Sequence, residues 1–316
     1  MLKLIIKRLL MLIPLMFFVS VVVFLVLRLS PNDPAMSYLR LSNIPPSEEA
    51  LRIARADLGL DRPLVTQYID WAAKAIRLDF GVSYVTRTSV MRQLLHYLPN
   101  TLYLASVTML ITLAFSIPFG VLAAVNRGRL IDKLSRVLAY IGVSTPSFWL
   151  AFLMIILFSV KLGWLPSMGL GGISYVVMPA CSVALMSLCI NMRLTRGCML
   201  EQLHARHVLY ARIRGVTEKR IIRGHVLRNS MIPVVTALGM HVGEVLGGAV
   251  VAEVIFAWPG VGRYMISAIS NRDFPVMQCF IIMMTGIFVV CNLLTDIMCA
   301  GLDPRARLVG EEGPHE

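Results

Sequence analysis

Six stretches of this chain are apolar over close to the length a helix needs to cross hydrocarbon, about 20 residues, and the first four are free of charge. The first runs from Leu9 to Leu27. The second falls within Tyr97 to Asn126, the third runs from about Val137 to Val160, and the fourth from Tyr175 to Met192. The fifth starts near Met231 and carries His241 and Glu244, and the sixth covers Met277 to Ala300. The chain is 57% hydrophobic and 15% charged, with a mean hydropathy of +0.73, so its apolar residues exceed what a core of this size can enclose. The expectation is an all-α integral membrane protein with six transmembrane helices.

The net charge is +12. Its basic residues sit beside the apolar runs, which assigns them to membrane orientation and argues against nucleic acid as a partner. Four basic residues and one acid lie between Arg127 and Arg136, and nine basic residues with Glu201 and Glu218 lie between Arg193 and Arg228. The opposite short loops hold Lys161 alone in one case, and Arg263 and Arg272 in the other. Both termini are therefore expected on the cytoplasmic side, with the chain multi-pass in its membrane.

Lys3, Lys7 and Arg8 ahead of the first run resemble a signal peptide, but the run is too long and lacks a small-residue cleavage site, so it is read as an uncleaved span. The expected divisions are residues 1–29 as cytoplasmic N-terminus and first span, and 30–96 as an extracytoplasmic helical loop. Residues 97–303 are expected as a core of the remaining five spans with a cytoplasmic loop at 193–230, and 304–316 as a cytoplasmic tail. Within 30–96, Ser47-Glu48-Glu49 and Asp61-Arg62-Pro63 read as helix starts.

The chain has no G-x-x-x-x-G-K-[ST] loop for nucleotide phosphates, no G-x-S-x-G elbow and no H-E-x-x-H helix, so no enzymatic chemistry is assigned. The six cysteines form no C-x-x-C pair and read as buried thiols. His204 and His207 lack an evident third ligand and read as surface residues. The nineteen methionines form no array along one face and read as packing residues.

The basic segment before the fifth span reads Tyr210-Ala211-Arg212-Ile213-Arg214-Gly215, then Thr217-Glu218-Lys219-Arg220, and on to Pro233. Ala211 to Arg214 suits a short helix ended by Gly215 in the left-handed cap position, and Thr217 suits the cap of a second helix with Glu218 in its first turn. A helix-turn-helix of that size can dock into a cleft on a soluble partner. The plain alternative is a positive-inside loop.

This stretch resembles the coupling loop of ABC importer permeases, in the variant of the dipeptide/oligopeptide/nickel family. The carry-over covers Ala211, Arg212, Gly215 and Pro233; the glutamate that names the motif elsewhere is replaced here by Tyr210. Leu58-Gly59-Leu60-Asp61, Leu78-Asp79-Phe80-Gly81, Glu253-x-x-Phe256-x-Trp258-Pro259-Gly260 and Leu302-Asp303-Pro304-Arg305 extend the resemblance along nearly the whole chain. The resemblance implies a type-I ABC importer permease: a pore-forming subunit that binds no cofactor itself. ATP and Mg would sit on two partner ATPases, beside a homologous second permease subunit and an extracytoplasmic solute-binding protein.

Within that family, Tyr38-Leu39-Arg40-Leu41-Ser42-Asn43, Trp164-Leu165-Pro166-x-Met168-Gly169 and Gly239-Met240-His241-x-Gly243-Glu244 resemble the nickel permease subunit, which implies nickel or a nickel chelate as cargo. His241 and Glu244 lie three apart inside a span, where ionisable groups are costly and usually face the bundle interior or a wet cavity. They are the candidate translocation-path and metal-binding residues. The alternative is that they pair with each other or bond a neighbouring helix. Gly243, Gly247, Gly248 and Ala249 give the fifth span a thin face, expected at a subunit interface or near the gate. Trp258, Pro259 and Gly260 are the candidate binding-protein dock or outer gate, with a lipid-anchoring tryptophan as the alternative. Rival readings are a di- or oligopeptide importer of the same build, a secondary transporter driven by an ion gradient, and a membrane scaffold.

Overall fold

The protein, seen in a computed structural model that describes residues 2–31 and 33–302, is helical nearly throughout. Asp303, Pro304, Arg305 and the 304–316 tail lie outside the described residues. In chain order the helices are α1 (Leu2–Arg28), α2 (Pro34–Leu41), α3 (Glu48–Asp57), α4 (Leu64–Ile76), α5 (Val90–Val125), α6 (Leu130–Ser144) and α7 (Ser147–Met154). There follow α8 (Ile173–Leu203), α9 (Arg206–Ile213), α10 (Glu218–Arg220), α11 (Leu227–Ile255), α12 (Val261–Asn271) and α13 (Phe274–Leu302). Wider π turns at Ile155–Lys161 and Ile221–Val226 continue α7 and link α10 to α11.

Among the described residues, five helices are long and apolar enough to cross a membrane, or six if one bent pair counts as a single span. That pair corrects the expected third span. The apolar run Val137–Val160 is no straight rod: α6 and the α7 segment meet at 102° across Thr145-Pro146. Proline has no N–H to give the preceding turn and pushes the residue before it out of helical geometry, and Thr145 is extended, with φ −87° and ψ 117°. The other spans are longer than their apolar centres. α5 begins at Val90, and its 36 residues extend about 54 Å, well beyond a hydrocarbon core of about 30 Å. α8 continues to Leu203, and the helical run Glu218–Ile255 carries the fifth span back well before Met231. The segment 193–230, expected as a loop, is therefore mostly helix.

The chain forms two compact units. One comprises Ile6–Thr101 with Pro259–Val289. In it Asp33 caps α2 through its carboxylate on Ala35 N, with Pro34 as first helical residue, and Ser47 Oγ caps α3 on Ala50 N. Arg55 holds Asp33 at 2.6 Å, and Ala35, Leu39 and Ala54 form a small core between α2 and α3. α4 lies against α1 through aromatic contacts: Phe24 meets Tyr68 at 5.4 Å and Trp71 at 5.8 Å. Asp273, buried, accepts from Ser83 Oγ at 2.5 Å and Tyr84 N at 3.1 Å, which fixes the 79–90 segment to the start of α13.

The second unit takes in Leu102–Trp258 and α13 from Val290. Its centre is α8, against which α6, α7 and α11 pack. Small residues set the spacing. A methyl at Gly120 would lie 2.6 Å from Thr195 Cβ and 2.7 Å from the Met192 carbonyl oxygen, and one at Gly142 would collide with Cys189. Part of the thin face of the fifth span packs on α8 of the same chain: Ala249 is fully buried, and a methyl at Gly248 would lie 3.1 Å from Val183, whereas one at Gly247 would meet nothing within 4 Å. Two buried hydroxyls of α5 are satisfied along their own helix, Thr108 Oγ1 donating to Leu104 O and Thr112 Oγ1 to Thr108 O.

The close approach of α5 and α8 gives a sharp contrast. Gly120→Ala pushes against backbone and is expected to cost about 1–3 kcal/mol, seen as a lower melting temperature in detergent. Gly197→Ala on α8, with nothing within 4 Å of the added methyl, should be neutral or slightly stabilising.

Candidate functional site

The basic segment folds as the hairpin α9–α10 between α8 and α11. Eight residues are too few for a stable isolated helix. α9 is held by Val208 and Ala211, buried together with Met199, Ile221, Val226 and Ala124. Its end is a Schellman turn: Val216 N donates to Ala211 O at 3.1 Å and Gly215 N to Arg212 O at 2.9 Å. Gly215 has φ +74°, the left-handed conformation expected for it. Thr217 stands at the N-cap of α10 but makes no side-chain cap bond. Glu218 instead faces back across the turn, accepting from Arg212 Nε at 2.7 Å and Nη2 at 3.3 Å. This fork clasps the hairpin shut and raises the Arg212 pKa through the hydrogen bond to Glu218.

The four coupling residues thus separate in space. Ala211 faces inward as packing. Arg212 and Gly215 shape the turn. Pro233 is not in the hairpin at all: it sits exposed inside α11, where its missing N–H leaves the Asn229 carbonyl without its helical partner. The surface the hairpin offers outward consists of Leu209, Tyr210 and Ile213, all exposed, among Arg206, Arg212 and Arg214.

Sequence reasoning missed a tether beside it. Asp132, 1% exposed, accepts from Arg196 Nε at 2.5 Å and Nη2 at 3.0 Å, and from the Gly128 amide at 2.9 Å. This pair binds the start of α6 to α8. Its only sequence signal was a lone acid in the basic segment Arg127–Arg136. Asn191, wholly buried on α8, was also missed; its amide has no hydrogen-bond partner among the described residues.

His241 and Glu244 are brought together as a pair, Nδ1 to Oε2 at 2.6 Å, the imidazole buried and the carboxylate half exposed. His241 Nε2 is buried without a partner. Among the described residues no three His, Cys, Asp or Glu side chains come close enough to hold a metal ion, so the metal reading of this pair lacks the remaining ligands. Trp258 corrects another expectation. It is fully buried with Leu104, Val176, Ala180 and Ala249 and stacks on Tyr103 at 6.1 Å, so its indole presents no surface to lipid or to a docked protein. Pro259 and Gly260 turn the chain into α12: Asn100 Nδ2 donates to Pro259 O at 2.7 Å, and Thr101 Oγ1 accepts from Val261 N at 2.9 Å.

Long lipid-length helices and a basic helical hairpin between two of them are the build of a multi-pass membrane protein. A family model described as "binding-protein-dependent transport system inner membrane component" matches residues 116–308, and its N-terminal counterpart matches residues 1–105. The chain belongs to that family. It is 38% identical over 308 residues to the glutathione transport system permease protein GsiC of Escherichia coli K12, covering 97% of this chain and 99% of that one. The GsiC protein of Shigella dysenteriae serotype 1 matches to the same extent. A solved structure of the MetNI methionine ABC transporter, inward facing, has a TM-score of 0.55 at 21% identity over 67% of this chain and 97% of that chain, a likeness of fold. The protein is a pore-forming ABC importer permease, not an enzyme, and ATP hydrolysis belongs to separate subunits. The nickel cargo expected from the short motifs is not what these relatives are named for: they are glutathione permeases.

Two substitutions test this geometry. Asp132→Ala leaves the Arg196 guanidinium without its partner and is expected to cost about 3–5 kcal/mol, read as loss of folded protein in detergent. Gly215→Val forces a β-branched residue to positive φ, at about 1–2 kcal/mol, and should lower melting while Gly215→Asn is better tolerated.

Proposed function

We propose that this chain is the permease subunit of an importer for small peptides, glutathione-like tripeptides or dipeptides, delivered by an extracytoplasmic solute-binding protein. The observation that carries this reading is the 38% identity to glutathione permeases over 97% of the chain. It favours the peptide alternative over nickel, and the lack of a three-ligand cluster among the described residues points the same way.

In this reading both termini lie in the cytoplasm, as the basic segments require, and the α9–α10 hairpin is the element that an ATPase grips. Leu209, Tyr210 and Ile213 supply the apolar contact and the surrounding arginines the charge. ATP closes the ATPase pair, the hairpins move, and this chain and a second permease subunit rock as rigid bodies to expose the path alternately. The His241–Glu244 pair is the polar element of the fifth span such a path would use. Glu244 is half exposed and oriented by the buried imidazole, and it suits the ammonium end of a peptide.

Uptake in cells lacking this chain, with and without the gene restored, tests the substrate. Labelled glutathione or dialanine should enter only in restored cells, while nickel uptake stays level in both. Loss and recovery of nickel uptake alone would sink the peptide reading. Tyr210→Asp at equal expression should abolish uptake and uncouple ATP hydrolysis from it; normal coupled uptake would remove the hairpin from the drive train.

A further inference from the structure

A cavity of about 300 Å³ opens within the unit formed by Ile6–Thr101 and Pro259–Val289, at the Arg28 end of α1. That volume lies at the lower end of small-molecule sites. Its walls come from α1, α3, α4, the 79–84 segment and the start of α13.

Three of its lining side chains carry buried polar atoms with no hydrogen-bond partner: Arg28 Nε, Trp71 Nε1 and Gln67 Oε1. Buried polar groups are nearly always paired, so three orphans around one cavity call for an explanation. The Gln67 orientation is fixed. Its Nε2 donates to Leu60 O at 3.0 Å and Arg62 O at 2.8 Å, and a flipped amide would set oxygen against both carbonyls. Gln67 therefore offers an acceptor, and the other two offer donors only.

The lining carries as many bases (Arg28, Arg62 and Lys74) as acids (Asp57, Asp70 and Asp79), yet among the described residues Arg28 is left unpaired. The Arg28 guanidinium lies over the Phe24 ring at 5.4 Å and makes no ion pair among the described residues. Tyr84, which lines the same cavity, supplies no countercharge: burial pushes its hydroxyl pKa up to about 12, so it stays protonated. At the rim, Asp70 is taken by Arg62 at 2.9 Å, and Asp57 and Asp79 stand nearby.

We propose that this cavity binds a small zwitterionic group. Its anion, a carboxylate or phosphate, accepts from Arg28 and Trp71, and its ammonium end donates to Gln67 and faces the rim acids. Two sources share that chemistry: a free amino acid or short peptide, and the phosphoethanolamine headgroup of a lipid lying beside α1. Because the orphan atoms are shut off from water, engagement takes rotamer changes in the side chains that cover them, with Gln67 keeping its two bonds.

The test uses the complete transporter, delipidated in detergent, and follows thermal stabilisation by dialanine in one arm and by dihexanoyl phosphatidylethanolamine in the other. At least one probe should stabilise saturably. Trp71→Phe keeps the ring and removes the donor, and should weaken that binding about tenfold. Arg28→Lys keeps the charge and removes the Nε donor, and should do the same. Stabilisation by dialanine alone assigns a soluble ligand, and by the lipid alone a headgroup. Dialanine held on the transport path instead would bind Trp71→Phe as tightly as the parent. That equality, or no stabilisation by either probe up to about 10 mM, overturns the proposal.

Discussion

Hydrocarbon offers no partner for a hydrogen bond, and most of this molecule follows from that. A backbone crossing lipid must satisfy every N–H and C=O within its own segment, which leaves helix as the form available to a single run of chain. Some of the buried side chains follow the same rule. Thr108 and Thr112 turn their hydroxyls onto their own helix, and Asp132 is surrounded by the Arg196 guanidinium and the Gly128 amide. With no hydrophobic force to drive apolar helices together inside lipid, contact depends on how near two backbones can come. Gly120, Gly142 and Gly248 therefore fix the arrangement around α8 more firmly than any large apolar residue.

Much of the fold was legible in the chain because its signals are local. Apolar run length marks a span, Ser47-Glu48-Glu49 marks a helix start, and Gly215 marks a helix end by chemistry confined to neighbouring residues. Asp33-Pro34 carried an equally good cap signal that went unread. What stayed hidden joins distant positions. Asp132 meets Arg196 across 64 residues, and Ser83 meets Asp273 across 190. No spacing rule connects such pairs before the helices are packed.

The remaining misreadings have physical causes. Averaged hydropathy passes smoothly over Thr145-Pro146, since proline in an apolar run scarcely changes the mean, yet that one missing donor turns the chain through a right angle. Trp258 reads from composition as an interfacial residue, and only packing shows it enclosed. His241 and Glu244 at helical spacing were legible as a pair but not as a metal site, because a third ligand must come from another helix. Cargo was the least legible of all. The short motifs that suggested nickel occupy turns and one helical face, whereas the match to glutathione permeases runs the length of the chain.

The run Glu218–Ile255 is 38 residues long, about 57 Å at helical rise, and it begins at the hairpin. Such a rod acts as a lever arm whose gearing depends on where it yields. Its two soft points, the π turn Ile221–Val226 and the proline at 233, both lie near the hairpin end. Beyond Pro233 nothing in the backbone ladder interrupts the helix as far as Ile255. Flexure of this run would thus concentrate in a short wrist next to the hairpin, leaving the stretch that carries His241 and Glu244 as one uninterrupted helix.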